Sequence, residues 1–458
     1  MFIGREKEIK SLMYLLENPK CGCAVIYGRR RLGKTELVKH CVKKTDLNNI
    51  IYQCKESNEY DNTSLITILI EKALGLSHLF FSTFFDAIEF IFEAAMNKEI
   101  CLVIDEYPYI RGQIDGCDSK LQALIDKYKG FSKLKLILIG SSISIMEEVL
   151  EYNRPLYGRF DLSILLKQMD YYDSSKFYSS FSSEDKIRLY SVFGGVPYYN
   201  IQIDERQTVK ENIIRLISGT FSGLKDFVET YLKTELRKIN NANIVFDTIA
   251  NGAFHYSDIL SKSHIETSTT LNNIIQKLIK MDLVEYICPI NDKNNKRKSG
   301  YRIKDLSLRF YYNYIYKNES THNILDDDVF YDTFIKNDFE NHFVPNVFEM
   351  ICKEFLIRKN KELKLNPMLL DIGTYWYDNP KEKKNGQFDV VGQTKDGYIF
   401  YECKYRNIKI NDEMIKEEIS QISKTNLNPV NYGFFSKRGY DIKEKNNYQL
   451  YTIDDLFE

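Results

Sequence analysis

The sequence has no long apolar run. Nothing in its 458 residues approaches the roughly 18 consecutive apolar residues that a membrane-crossing helix needs. It also lacks an excess of charge of either sign: 63 Lys and Arg stand against 64 Asp and Glu, a formal net charge of -1. That balance argues against a globally basic nucleic-acid binder but leaves room for local basic patches. Histidine is scarce. His40, His78, His255, His264, His322 and His342 are too far apart to suggest a zinc site, and Cys21 and Cys23 have no second pair at zinc-finger spacing. The nine cysteines are odd in number, and several, such as Cys101, sit inside apolar runs. This is the pattern of reduced, buried thiols rather than of a disulfide framework. Internal repeats and low-complexity segments are absent. The start, Met1-Phe2-Ile3-Gly4-Arg5-Glu6, has the shape of neither a signal peptide nor a transit peptide. The expectation is a cytoplasmic protein with no membrane partner.

What is present is patterned. The length suggests about three domains. Short apolar strands at Ala24–Tyr27, Ile50–Cys54, Ile100–Ile104 and Leu134–Ile139 alternate with helical patterns at Thr35–Val42 and Phe84–Met96. Near-continuous apolar strands belong to a parallel sheet buried on both faces, and the alternation predicts a three-layer α/β fold. From Ser174 to Lys238 the pattern turns helical, broken at Gly194-Gly195-Val196-Pro197. Three helices follow, Ile244–Ala250, Tyr256–Leu260 and Ser268–Lys280. Two strands come next, Leu283–Cys288 and Gly300–Ile303, flanking a basic stretch with Lys293, Lys296, Arg297 and Lys298. Three helices and a basic hairpin make a winged helix, with Ser268–Leu271 placed to enter a DNA major groove and the wing to meet phosphates. Asp326-Asp327-Asp328 reads as a linker into a final α+β unit. The predicted fold class is thus α/β, a three-layer core (1–170) with a helical lid (171–240), then a winged helix (241–318) and an α+β domain (319–458).

Gly28-Arg29-Arg30-Arg31-Leu32-Gly33-Lys34-Thr35 fits G-x-x-x-x-G-K-[ST] between a strand and a helix. The glycines let the backbone of this loop turn its N–H groups toward phosphates. Lys34 supplies charge to the β- and γ-phosphates, and Thr35 a hydroxyl ligand for Mg²⁺. These features predict ATP and Mg²⁺ as cofactors. Asp105 and Glu106 end an apolar strand, where a carboxylate opens into the ligand crevice. Asp105 is expected to hold Mg²⁺ through water, and Glu106 to polarise the attacking water. The strand ending at Gly140-Ser141-Ser142 offers Ser142 to the γ-phosphate or the water. Arg159 is a candidate arginine finger.

Near the C-terminus, Gln387–Val391 and Tyr398–Lys404 are two strands around Asp396-Gly397, a tight-turn signal. With those two residues as the turn, Asp389 falls opposite Lys404. Side-chain alternation then puts Asp389, Glu402 and Lys404 on one face. Two carboxylates can hold Mg²⁺ and the lysine can orient or deprotonate a water, with Glu349 on the preceding helix completing the ligand set.

The order of these motifs is specific. Phe2-Ile3-Gly4-Arg5-Glu6, the P-loop, Ile104-Asp105-Glu106, Gly140-Ser141-Ser142, Pro155-Leu156-Tyr157-Gly158-Arg159 and Gly194-Gly195-Val196-Pro197 together resemble the prokaryotic archaeal-type AAA+ ATPase family, whose members carry a restriction-nuclease-like C-terminal domain. The resemblance implies that Phe2 and Ile3 line the adenine pocket. It also implies that Arg159 acts on a neighbouring subunit or across a domain interface, and that Asp389, Glu402 and Lys404 form a nuclease site. Relatives commonly carry a glutamate where this chain has Gln387. The function expected is an ATP-hydrolysing machine acting on DNA, in defence or mobile-element maintenance, with a homo-oligomer as a possible assembly. The alternative is a nucleotide-controlled switch whose last domain is catalytically silent.

Overall fold

The computed structural model describes residues 2–224, 241–379, 384–423, 427–443 and 447–458. The chain divides into two compact units, Met1–Gln168 and Met169–Glu458. Among the described residues no helix is long and apolar enough to cross a membrane.

The first unit is a five-stranded parallel sheet between helices. Its elements are α1 (Glu6–Glu17), β1 (Gly22–Tyr27), α2 (Lys34–Val42), β2 (Asn48–Gln53), α3 (Glu59–Leu74), α4 (Phe84–Ala94), β3 (Ile100–Asp105), α5 (Tyr107–Gln113), α6 (Cys117–Tyr128), β4 (Lys135–Gly140), α7 (Ile143–Leu150) and β5 (Leu162–Leu165). The strand order is β2-β3-β4-β1-β5. Every residue of β1, β3 and β4 is buried. This explains their continuous apolar runs: helices cover both faces of the sheet, leaving no solvated face to alternate with. Because β4 lies between β1 and β3, the loops after these three strands open at one edge of the sheet, where chemistry collects in folds of this kind.

The second unit begins with α8 (Tyr171–Ser175), α9 (Ser183–Phe193), α10 (Pro197–Asn200) and α11 (Val209–Ile213). The expected helical stretch 174–238 reaches beyond the described residues at 225–238. Gly194, at φ 56°, stops α9. Gly195 passes so close to Met169 that a Cβ there would lie 1.8 Å from its carbonyl oxygen. The acidic run is not a free linker. Asp326 caps a short helix through the N–H groups of Asp328 and Val329. Asp327 accepts from the Thr220 N–H and hydroxyl at 2.9 and 2.8 Å, and Asp328 pairs with Lys210. Three aspartates in sequence resemble a solvated segment, but Asp326 caps a helix, and Asp327 and Asp328 have partners distant in the chain.

Three helices, α12 (Ala242–Ala250), α13 (Tyr256–Ser263) and α14 (Ser268–Lys280), precede the antiparallel pair β6 (Val284–Ile287) and β7 (Gly300–Ile303). Leu271, Ile274, Ile275 and Leu278 of α14 are buried. This corrects one expectation: Leu271 points into the core, so it cannot enter a groove. The exposed start of α14 is Ser268, Thr269 and Thr270. The wing is docked rather than free. Ile290 N–H donates to the Thr374 carbonyl at 2.8 Å, its side chain packs with Tyr375 and Phe388, and Lys293 pairs with Asp371. Lys293 is thereby engaged, whereas Lys296 and Arg297 remain exposed.

After the short α15 (Leu306–Phe310), the long α16 (Val344–Lys361) leads into β8 (Asp371–Asn379), β9 (Lys384–Gln393) and β10 (Tyr398–Lys404). Then come α17 (Asp412–Ser423), β11 (Pro429–Ser436) and β12 (Gln449–Thr452). These strands form one sheet in the order β12-β11-β10-β9-β8, with β8, β9 and β10 antiparallel and the remaining pairs parallel. The turn differs from the two-residue Asp396-Gly397 expectation. Tyr398 pairs with Gln393 and Tyr401 with Val390, so the loop holds four residues, Thr394 to Gly397. The Thr394 N–H and hydroxyl both donate to the Gly397 carbonyl, at 2.8 and 3.0 Å, closing the wider turn. The register therefore shifts by two: the paired ladder ends at Tyr401 and Val390, and its extension sets Asp389 opposite Glu402 rather than Lys404. A shift of an even number of residues leaves every side chain on its expected face.

Candidate functional site

The P-loop backbone is built around left-handed residues. Gly28, Arg31 and Gly33 have φ values of 147°, 67° and 84°. A Cβ on Gly28 would lie 2.3 Å from the Leu166 carbonyl oxygen, whereas a Cβ on Gly33 would meet nothing within 4 Å. The first glycine thus permits close packing behind the loop, and the second leaves open space in front of α2. No side chain caps α2, so its first N–H groups are available to an anion. Lys34 is buried, and its ammonium donates to the Gly28 and Arg29 carbonyls at 2.9 and 2.8 Å. Arg30 reaches Tyr109 at 2.8 Å. The Leu32 side chain is buried.

The Thr35 hydroxyl donates to Asp105 Oδ2 at 2.6 Å, joining α2 to the end of β3. Asp105 is buried. Burial raises its pKa, the Thr35 hydrogen bond opposes that, and the neighbouring Glu106 adds to it. A desolvated carboxylate beside a hydroxyl is a donor set of hard oxygens, which suits Mg²⁺. Glu106 is held in the left-handed region at φ 55°, capping α5. The Ser141 N–H and hydroxyl both donate to its Oε2, at 3.2 and 2.8 Å. Ser142 instead stands at the N-cap of α7 without a side-chain cap bond. Of the serine pair, it is therefore Ser141 that grips the acidic residue.

The N-terminal segment also reaches this region. Phe2 stacks on His40 of α2 with ring centroids 4.5 Å apart, and Ile3 is half-buried. Arg5 is buried at φ 67° and donates to the Lys167 carbonyl at 2.6 Å and the Leu32 carbonyl at 3.5 Å. Arg159 lies apart from the P-loop side chains in its contacts. Its Nε and Nη2 meet Asp126 at 3.2 and 3.1 Å.

In the second unit a half-buried group of carboxylates lies beside the β9–β10 hairpin. Burial raises Asp389 to about 8, with Glu349 and Glu402 adding repulsion and Lys404 opposing it. Burial likewise raises Glu349 to about 7, opposed by Arg302, and Glu418 of α17 to about 7, reinforced by Glu402. Lys404 forms an ion pair with Glu402. Glu418 is a fourth carboxylate that strand arithmetic on one hairpin could not supply. Among the described residues, no three His, Cys, Asp or Glu side chains stand close enough together to hold a metal ion as they are. The donors are chemically suited to a hard cation, but they would have to draw together to bind one.

Comparison with known proteins agrees with the first unit. Residues 2–203 match the model of an ATPase domain predominantly from Archaea, and residues 311–419 match a model of archaeal and bacterial proteins of unknown function. An uncharacterized protein of Methanocaldococcus jannaschii is 28% identical over 418 residues, covering 90% of this chain and 89% of its own. A solved structure, the Walker-type ATPase of Pyrococcus abyssi, superposes with a TM-score of 0.51 at 18% identity, over 68% of this chain and 96% of that one. Fold and site together define a P-loop ATPase. Residues 2–203 are thus similar to an ATPase domain found predominantly in Archaea, and residues 311–419 to a domain of archaeal and bacterial proteins of unknown function.

Proposed function

We propose that this chain is an ATP-hydrolysing AAA+ machine that acts on DNA, cleaving it with its last domain. The observation that carries the ATPase part is the connected series Thr35–Asp105–Glu106–Ser141, which ties the P-loop to the ends of β3 and β4. In this reading Lys34 leaves the loop carbonyls for phosphate oxygens, and Thr35 and Asp105 hold Mg²⁺. Bound Mg²⁺ supplies charge neutralisation on the transferred phosphoryl group. Glu106, fixed by Ser141, orients and polarises the attacking water. Phe2 and Ile3 cover the base beside α2. Arg159, half-buried and held by Asp126 and the Tyr157 carbonyl, acts on a neighbouring subunit. The division into core, lid, winged helix and nuclease-like domain is part of the same proposal.

For the last domain, support comes from topology and from burial. The order helix, three antiparallel strands, helix, parallel strand runs from α16 to β11, and the Asp389, Glu402 and Lys404 side chains emerge on one face beside Glu349. Several half-buried carboxylates repel one another, and a divalent ion relieves that repulsion. Asp389, Glu402 and Glu349 would hold Mg²⁺, and Lys404 would orient the water. The spacing of these carboxylates favours a second reading, in which the domain binds without cleaving. ATP turnover by the full chain with and without duplex DNA, with the DNA followed on a gel, separates the two. DNA-stimulated turnover with Mg²⁺-dependent cleavage supports the first. Slow, DNA-indifferent turnover with intact DNA supports the second.

A further inference from the structure

The segment before α1 is pinned at two places. Arg5, buried at φ 67°, donates to the Leu32 carbonyl of the P-loop at 3.5 Å and to the Lys167 carbonyl at 2.6 Å. Phe2 is held at the other end. Its ring lies nearly flat on the His40 imidazole, with centroids 4.5 Å apart and the planes inclined by 17°. Ile3, half-buried, and Gly4, at φ 66°, span the interval between the two pins. His40 lies near the end of α2 and Lys34 at its start. At 1.5 Å per residue, His40 stands ~9 Å along the helix from the phosphate-binding lysine.

The stack is aromatic rather than ionic. Burial lowers the pKa of His40, and Lys44 and Lys43 add to that. The imidazole is therefore uncharged at neutral pH and meets Phe2 as a flat ring. Both rings keep part of their surface in solvent, whereas Leu37, Val38 and Cys41 of the same helix are buried in the core. The pair thus adds little to the core. What it does is fix where residues 2–4 run beside the P-loop.

We propose that His40 is a positioning residue for the adenine base: it stacks against Phe2 and so holds Phe2 and Ile3 where the base binds. His40 acts through Phe2, and its role therefore rests on Phe2 and Ile3 being the residues that cover the base. This adds to the nucleotide site a side chain from outside the P-loop motif, one that sets affinity for the base and not for the phosphates. Without a ring at position 40 the segment keeps only the Arg5 pin. Phe2 must then be ordered each time a nucleotide enters, which costs affinity. The phosphate contacts, at the other end of α2, are untouched.

The test is calorimetric titration of the full chain with ATP and, by competition, with inorganic tripolyphosphate, both with Mg²⁺. Tripolyphosphate carries the phosphates and no base. His40→Ala keeps a strong helix former in α2. It should weaken ATP binding roughly three- to tenfold, the worth of one aromatic pair, while tripolyphosphate binding stays within about twofold of wild type. His40→Phe keeps a ring and should return ATP affinity to the wild-type value. A thermal melt checks that each variant is folded. If His40→Ala is not, His40→Leu, which fills the space without a ring, decides in its place. Phe2→Ala, in the same assay, should also weaken ATP and spare tripolyphosphate. Wild-type ATP affinity in a folded His40→Ala chain would overturn the role of His40. So would an equal loss of both ligands, since the helix itself would then be disturbed. If Phe2→Ala loses ATP selectively and His40→Ala does not, Phe2 still covers the base and His40 has no part in it. If neither variant changes ATP affinity, both assignments fail.

Discussion

Glu106 occupies a backbone region that side chains other than glycine visit rarely, at a cost of order 1–3 kcal/mol. The two Ser141 bonds hold it there. Glu106→Gln keeps an oxygen for Ser141 to donate to, so it should fold and bind ATP, yet slow turnover by about two orders of magnitude or more. A phosphate-release assay reads this directly, and turnover near the wild-type rate would remove Glu106 from the mechanism. Residue-scale electrostatics also set a pH dependence in the second unit. Asp389 is raised to about 8, and Glu349 and Glu418 to about 7. From about pH 4 to about pH 8 the folded state keeps protons that the unfolded chain releases, so these groups make stability fall as pH rises. Mg²⁺ favours their ionised forms, so the Tm gained on adding it should be larger near pH 8 than near pH 5. Asp389→Asn should flatten the pH dependence and reduce the gain. Equal gains at both pH values in thermal melts would exclude metal binding at these carboxylates.

At the scale of elements, the sequence was most legible where chemistry and local structure coincide. The P-loop, its flanking strand and helix, and the acidic end of β3 are contiguous, so spacing alone located them. What stayed hidden was long-range. Arg5 meets Leu32 and Lys167, 27 and 162 residues away, and Ser141 meets Glu106 across the gap between two parallel strands. The β9–β10 register differs from the one Asp396-Gly397 suggests because Thr394 closes a four-residue turn rather than a two-residue one, although alternation preserves the face. The wing reads as a free basic loop, since nothing local reveals that Ile290 packs on Tyr375 and Phe388. The Gly194–Pro197 break was visible, but not its reason, which is the contact of Gly195 with Met169. Gly195→Ala should therefore lower unfolding stability by about 1–3 kcal/mol through overpacking. Denaturant titration of the two proteins measures the difference, and an unchanged midpoint would mean the segment yields freely.

At the scale of the whole molecule, the P-loop and the side chains it engages lie within Met1–Gln168 and the carboxylates within Met169–Glu458. Chemistry at the two places should then be separable: Asp389→Ala should abolish DNA cleavage and leave basal ATP turnover unchanged, as gel and phosphate assays on one preparation would show. Loss of both activities in a folded variant would mean that the units cannot be treated independently. The central claim is that Gly28–Thr35 binds ATP through Lys34. Calorimetric titration of ATP with Mg²⁺ into the wild-type chain and into Lys34→Ala tests it most directly. Removing one partner of a buried charge pair costs ~2–5 kcal/mol, so affinity should fall by roughly 30-fold to several thousandfold while the thermal melt persists. Equal affinity in the two proteins would contradict the account.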